Sequence, residues 1–243
     1  MTATSSIPTG TRRQQVSSPL SPSPLPETVS AIVFDCDGLL LDTETCWSRA
    51  ESALFAKYGF GFGPAEKDLL IGRTLEAACA DMATYFGMPA EAGTQLEDEL
   101  LTLVAHELAI GVDPMPGAIE ILDRLGSRVK LGIATNSPRV LLSAALRRTG
   151  LEDRFDVSIA ADEIVNPKPA PDIYLKAFDM LDADPKLGLA LEDSSTGVRA
   201  AQAAGTFLVT VPSQPGKQLP GDYVCDSLND ERLTAWSRTV ATG

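Results

Sequence analysis

The stretch Ala31-Ile32-Val33-Phe34-Asp35-Cys36-Asp37-Gly38-Leu39-Leu40-Leu41-Asp42-Thr43 decides how this chain folds. Four apolar residues suited to a buried strand run directly into two carboxylates one residue apart, and a glycine follows. A buried strand that stops at paired negative charge needs a cation, a proton or a catalytic purpose to tolerate it. Cys36 lies between the two aspartates, so on extended backbone its side chain points to the opposite face. It is expected in the core rather than as a nucleophile.

Downstream of Asp42 the pattern turns helical. Trp47, Ala50, Leu54, Phe55 and Tyr58 recur at helical spacing, with Gly59 as a stop. A second helix is expected from about Thr74, and a third carries Leu96, Leu100, Leu103, Val104 and Leu108 on one face. No strand pattern interrupts this segment before Gly111. The Pro114-Met115-Pro116-Gly117 turn then resets the chain. A helix stripe of Ala118, Ile121, Leu122 and Leu125 leads to the strand Val129–Ala134. A helix from about Pro138 leads to a strand at Asp156–Ala160. The stripe Ile173, Ala177, Met180 and Leu181 precedes Leu187–Leu191, and an alanine-rich helix ending at Gly205 precedes Phe207–Val211.

Such alternation predicts an α/β fold, a Rossmann-like parallel sheet with helices on both faces. The expected organisation is a disordered tail over 1–28, a core from 29–43 and 112–243, and an inserted all-helical cap over 44–111. The tail is rich in Ser, Thr and Pro and lacks the apolar segment of a secretory signal.

Composition narrows the function. Of the 243 residues, 33 are acidic and 20 basic, for a net charge of −13. That balance argues against nucleic acid or an anionic membrane as partner. The four cysteines have neither paired nor metal-finger spacing, which fits a reduced, cytoplasmic setting.

In a doubly wound sheet, ligands bind beyond the carboxyl ends of the strands. The first predicted strand ends in Asp35 and Asp37, the second in Thr135-Asn136-Ser137, the fourth in Glu192-Asp193. After the third comes Asn166-Pro167-Lys168-Pro169-Ala170-Pro171-Asp172, a lysine held between prolines. Four carboxylates would then share one cleft with Lys168. At about 5 Å and an effective dielectric near 20, each like-charge pair costs roughly 3 kcal/mol. One lysine does not offset several such interactions, whereas a divalent ion does. All-oxygen ligands with room for water and phosphate favour Mg²⁺.

These four motifs, in this order, resemble the haloacid dehalogenase superfamily, and within it the beta-phosphoglucomutase-like and CbbY-like phosphatases with a helical cap. The likeness runs from about Ser30 to the region around Val211. It implies that Asp35 is a nucleophile forming an aspartyl-phosphate and that Asp37 is the general acid and base. It implies that Thr135 and Lys168 hold the phosphoryl oxygens, with Asn136 beside them. Asp35, the Asp37 carbonyl, Asp193 and Glu192 would hold the magnesium. An aspartate at position 37 favours oxygen esters, because dehalogenases and phosphonate-cleaving members lack it. Mutases of the group carry a histidine where Trp47 aligns, so hydrolysis of a small phosphorylated metabolite, such as a sugar phosphate, is expected ahead of phosphomutase activity. A catalytically silent binding protein is the other alternative. The expected assembly is a monomer or small homo-oligomer.

Outside the four motifs the sequence leaves alternatives open. Arg73 either reaches the cleft from the cap or precedes a helix as a solvated side chain. Glu44 either contacts substrate or favours a helix N-terminus. Asn136 and Thr135 have helix capping as their structural alternative. Arg139 lies beside the second motif. His106, the single histidine, falls on a polar helix face.

Overall fold

Side-chain alternation along the quoted strand sets the architecture. In the computed structural model, which describes residues 25–70, 75–89, 91–213, 216 and 218–243, Ile32, Phe34 and Cys36 belong to one buried apolar cluster. Ala31 and Val33 belong to another. The strand therefore separates two cores, and Asp35, in step with Ala31 and Val33, starts on the second side.

In chain order the elements are β1 (Thr28–Val29), β2 (Ile32–Phe34), α1 (Thr43–Lys57), α2 (Pro64–Leu70), α3 (Leu75–Tyr85), α4 (Ala92–Ile110), α5 (Ala118–Leu125) and β3 (Leu131–Ala134). There follow α6 (Arg139–Thr149), β4 (Val157–Ile159), α7 (Asp172–Met180), β5 (Leu189–Glu192), α8 (Ser195–Ala204), β6 (Phe207–Thr210), β7 (Tyr223–Val224), α9 (Glu231–Ser237) and β8 (Ala241–Thr242). Six strands form a parallel sheet in the order β4-β3-β2-β5-β6-β7. The catalytic-strand candidate β2 is central, and β3 and β5 flank it, which brings the ends of three strands together.

Buried residues of α7 and α8 cover one face of the sheet, while α5, α6 and α9 contribute to the cluster on the other. Gly197, Ala200, Ala201 and Ala204 of α8 are buried, so the small-residue helix serves close packing, as the sequence suggests. The α7 stripe is shifted from the expected one. Ile173, Tyr174, Ala177 and Phe178 are buried, with Leu181 just beyond, whereas Met180 is 55% exposed.

The insert is all helix, as expected. Its α1 and α3 pack on α4, and Phe55, Phe62, Tyr85 and Phe86 meet ring to ring, Phe55 at the centre. Trp47 is partly buried against the core cluster, while Cys46 takes the fully buried position on α1. Two linkers join cap to core side by side. The Asp42 amide donates to the Asp113 carbonyl (2.9 Å), and the Met115 amide to the Leu40 carbonyl (2.8 Å).

The assignment of 1–28 to a tail needs correction at its end. Leu25 is buried, the Trp236 indole donates to the Pro26 carbonyl (2.6 Å), and β1 pairs in parallel with β8. Residues 25–28 belong to the core because the C-terminal segment supplies a partner strand and an indole donor that hydrophobic periodicity in 1–28 alone does not reveal. The sequence pattern likewise does not announce β7, α9 or β8.

Candidate active site

Asp35 follows β2 directly, with its amide donating to the Leu191 carbonyl of β5 (3.0 Å). That bond carries the pairing of β2 one residue past the strand and delivers the carboxylate to the sheet's carboxyl edge. Lys168 arrives from the proline-rich loop between β4 and α7. Its Nζ donates to Asp35 Oδ1 and Glu192 Oε1, each at 2.5 Å, and all three side chains are buried. Asp35, Glu192 and Asp193 each offer one carboxylate oxygen within 4.8 Å of the others.

Burial drives the Asp35 carboxyl well above the usual carboxylate range. Lys168 pulls it down, and Glu192, Asp193 and Asp37 push it further up. Burial likewise pushes Asp193 up to about 7, with Glu192 adding to it. For the Lys168 ammonium, burial acts downward, but the facing carboxylates of Asp35 and Glu192 outweigh it and carry its pKa up. The lysine therefore stays charged in the interior. One positive charge among three buried carboxylates leaves the site short of cations, as the sequence argument requires.

Asp193 points to where that cation belongs. Its Oδ1 is buried without a hydrogen-bond partner, and a buried lone carboxylate oxygen is costly unless something positive meets it. Gly38 makes room beside it. Its φ is +79°, and a Cβ there would lie 2.5 Å from Asp193 Oδ2. Conformation and space both demand glycine at this turn. The donor set is hard oxygen throughout, which fits Mg²⁺. Ser213, which sequence reading missed, lies beside the Asp193 carboxylate, and its side chain opposes the rise in that group's pKa.

The other expected residues have definite positions. Thr135 is fully buried, and its hydroxyl donates to Asp37 Oδ2 (2.6 Å) and accepts from the Ser137 amide (3.0 Å). Asn136 does not cap a helix. Its Nδ2 donates to the Lys168 carbonyl and its Oδ1 accepts from the Lys168 amide, both at 3.0 Å, so it clamps the lysine's backbone. Glu192 is engaged on both oxygens. Oε1 also accepts from the Tyr174 hydroxyl (2.6 Å), and Oε2 accepts from the Asp193 amide (3.2 Å) and Ser194 Oγ (3.2 Å). A Cβ on Gly197 would collide with this carboxylate, so that glycine admits Glu192 to the start of α8.

Three candidates lie elsewhere. Glu44, in the first turn of α1, pairs with Lys67 of α2 (2.7 Å), which also grips Glu51 (2.7 Å). Within the cap it is an ion-pair partner, drawn sideways by a lysine whose reach the sequence does not reveal. Arg139 binds Glu163 and the Ser158 carbonyl, bracing α6 against β4. His106 is exposed beside Glu107. Arg73 falls outside the described residues. Cys36 is buried as expected, and burial pushes its thiol well up, away from nucleophilic reactivity. A cleft of about 750 Å³ opens next to the site, walled by Gly38, Leu39, Met115, Val211 and Ser213 among others, on the side where Ser213 meets Asp193.

Comparison with known proteins agrees with this geometry. The profile of the haloacid dehalogenase-like hydrolases matches residues 32–211. The chain is 34% identical over 182 residues to validoxylamine A 7'-phosphate phosphatase of Streptomyces hygroscopicus subsp. limoneus, covering 73% of this chain and 83% of that protein. It is 30% identical over 212 residues to the bifunctional riboflavin kinase/FMN phosphatase of Arabidopsis thaliana. That match takes in 85% of this chain but spans only about half, 55%, of the plant protein. Among solved structures, CbbY from Rhodobacter sphaeroides in complex with phosphate superposes with a TM-score of 0.70 at 28% identity, covering 83% of this chain and 95% of that one. The chain belongs to the haloacid dehalogenase-like hydrolase family. It is a hydrolase of that family, and its helical insert fits the family's capped members. Among the described residues, no helix is long and apolar enough to cross a membrane.

Proposed function

We propose that this protein hydrolyses a small phosphate monoester, a sugar phosphate or related metabolite, with Mg²⁺ and through a phosphorylated Asp35. The observation that carries the reading is the buried row Asp35–Lys168–Glu192 beside the partnerless Asp193 Oδ1. A salt bridge that served stability alone would leave no orphan oxygen at its edge. Asp35, Asp193 and the main chain at Asp37 would hold the ion, with Glu192 behind them. When bound, it neutralises the carboxylates and orients the phosphoryl group.

The chain's own groups then account for both half-reactions. Lys168 engages Asp35 Oδ1, leaving Oδ2 to bond to phosphorus as the ester P–O bond breaks. Asp37 gives its proton to the departing alkoxide. It then takes a proton from the water whose oxygen bonds to phosphorus, releasing phosphate and restoring the Asp35 carboxylate. Lys168 and the Thr135 hydroxyl face the negative charge that develops on the phosphoryl oxygens. In this arrangement Thr135 leaves its bond to Asp37 for the phosphoryl oxygen. The partly buried, apolar setting of Trp47 on α1 supports hydrolysis over mutase chemistry, since an indole cannot exchange protons with a sugar. The names of the relatives, an FMN phosphatase and a phosphatase for validoxylamine A 7'-phosphate, support small phosphorylated metabolites as the substrate class. Four free, buried cysteines fit a reducing cytoplasm.

The test is phosphate release from a panel of phosphorylated metabolites with Mg²⁺ or with EDTA. It is joined to a quench with borohydride and mass spectrometry of the peptide carrying Asp35. Metal-dependent release with the reduced adduct at Asp35 is expected. Release undiminished by EDTA, or label on another residue, would overturn the proposal.

A further inference from the structure

The proposed chemistry leaves Tyr174 without a task. It is fully buried on α7, and its hydroxyl reaches the last residue of β5, meeting Glu192 Oε1 at 2.6 Å. A phenylalanine would fill the same volume without burying a hydroxyl, and a buried hydroxyl is unfavourable unless bonded. The hydroxyl therefore needs a reason, and its partner supplies one. Oε1 accepts from Lys168 Nζ at 2.5 Å as well, so its two lone pairs are both in use. Oε2 has only longer contacts, to the Asp193 amide (3.2 Å), the Ser194 amide (3.4 Å) and Ser194 Oγ (3.2 Å). The terminal torsion of a glutamate is broad and soft. Of the groups around this carboxylate, the two short donors on Oε1 determine which oxygen faces the lysine. The Tyr174 ring also flanks the ammonium, 5.1 Å from ring centroid to Nζ, in cation–π range.

We propose that Tyr174 is a positioning residue: its hydroxyl locks the rotation of Glu192, and through Glu192 it holds Lys168 on Asp35 while keeping Oε2 on the Asp193 side. This rests on the reading of Asp35 and Lys168 as the reacting pair. The chain of contact is Tyr174 to Glu192 to Lys168 to Asp35, each link 2.6 Å or shorter. Loss of the hydroxyl leaves the core filled but lets the carboxylate turn, so the lysine loses its fixed place.

The experiment compares wild type, Tyr174→Phe, Glu192→Gln and the double variant in phosphate release from p-nitrophenyl phosphate with Mg²⁺. Tyr174→Phe is expected to lower kcat roughly 10- to 100-fold, the usual range for a group that orients a catalytic one. KM should change little, because the Lys168 charge is retained and acts on charge that develops in the transition state. The melting temperature should fall by only a few degrees, because the ring still fills the core. In the Glu192→Gln background the same change should cost almost nothing further, since residues acting through one another are not additive. Wild type that releases no phosphate would overturn the parent reading. Active wild type with an equally fast Tyr174→Phe, or costs that simply add, would overturn the positioning role alone. A second measurement holds even if Tyr174→Phe does not fold. With only four tyrosines, 3-fluorotyrosine labelling gives four ¹⁹F resonances, three assignable through Tyr58→Phe, Tyr85→Phe and Tyr223→Phe. The fourth should move in Glu192→Gln, and a fixed position would overturn the proposal.

Discussion

Core and cap each contain a lysine gripped by two carboxylates, and the two triads behave differently. In the core, Lys168 sits between Asp35 and Glu192, and the lysine side chain is only 2% exposed. In the cap, Lys67 sits between Glu44 and Glu51 at similar distances, but Glu44 is 68% exposed. Water and salt screen the Glu44 arm of the second arrangement and hardly touch the first. Ion-pair geometry alone would rank the two triads as near equals. Burial separates the centre proposed to react from a clasp between two helices.

Substitutions at matched positions break or sharpen this contrast. The largest effect belongs to Asp35→Asn, which should abolish turnover, since uncatalysed monoester hydrolysis is among the slowest reactions known; phosphate release at wild-type rate would remove Asp35 from the chemistry. Next comes Lys168→Met. Removing the cation strands two buried carboxylates, so urea unfolding should show a loss of about 3–5 kcal/mol, together with loss of activity. Gly38→Ala forces a Cβ onto the Asp193 carboxylate from a left-handed backbone. It should weaken Mg²⁺ binding, followed by calorimetry, by roughly 10- to 100-fold, with a smaller cost in stability.

The smallest effect is expected from Lys67→Met, about 1 kcal/mol, and its pH dependence carries the diagnosis. Burial raises the Glu51 carboxyl above its ordinary value, while Lys67 opposes the rise. A raised acid binds its proton more tightly in the folded state. Its charged form therefore costs stability progressively as pH climbs from the unfolded value, near 4.3, through the folded one. Without Lys67 that cost grows. The deficit of Lys67→Met relative to wild type should be full at neutral pH and shrink as pH falls toward 4. A deficit that stays constant across paired unfolding curves would mean that packing, not charge, is what Lys67 supplies.

How much of this was legible in the sequence differs between the same two regions. The core motifs were readable because parallel strands align their ends. Knowing that Asp35, Thr135, Lys168 and Glu192-Asp193 each follow a strand is nearly enough to place them together. For Asn136 the sequence offers a place beside the phosphoryl group or a helix cap, and its clamp on the Lys168 backbone stays hidden because it spans 32 residues. Tyr174 escapes the sequence reading because the stripe of Ile173, Ala177, Met180 and Leu181 leaves it out. Periodicity marks a face, yet it does not say which large side chain turns inward. Ser213 comes from a loop with no pattern at all. In the cap, periodicity gave helices and little more. The pairing of Glu44 with Lys67 depends on how α1 and α2 pack, which no spacing encodes. The short pairing of β1 with β8 joins segments far apart in sequence, a contact that two-residue strands cannot announce.

The paired linkers at Leu40–Asp42 and Asp113–Met115 have one further consequence. Entry to and exit from the cap are stitched together within a few residues, so the insert leaves and returns at a single doorway. Apart from that doorway, α4 leans on α6, and Arg148 reaches the Ile110 carbonyl at 3.0 Å. The helical segment is thus a transplantable cassette. A graft that preserves the doorway and the final turn of α4 can bring a different recognition surface to an unaltered reaction chamber.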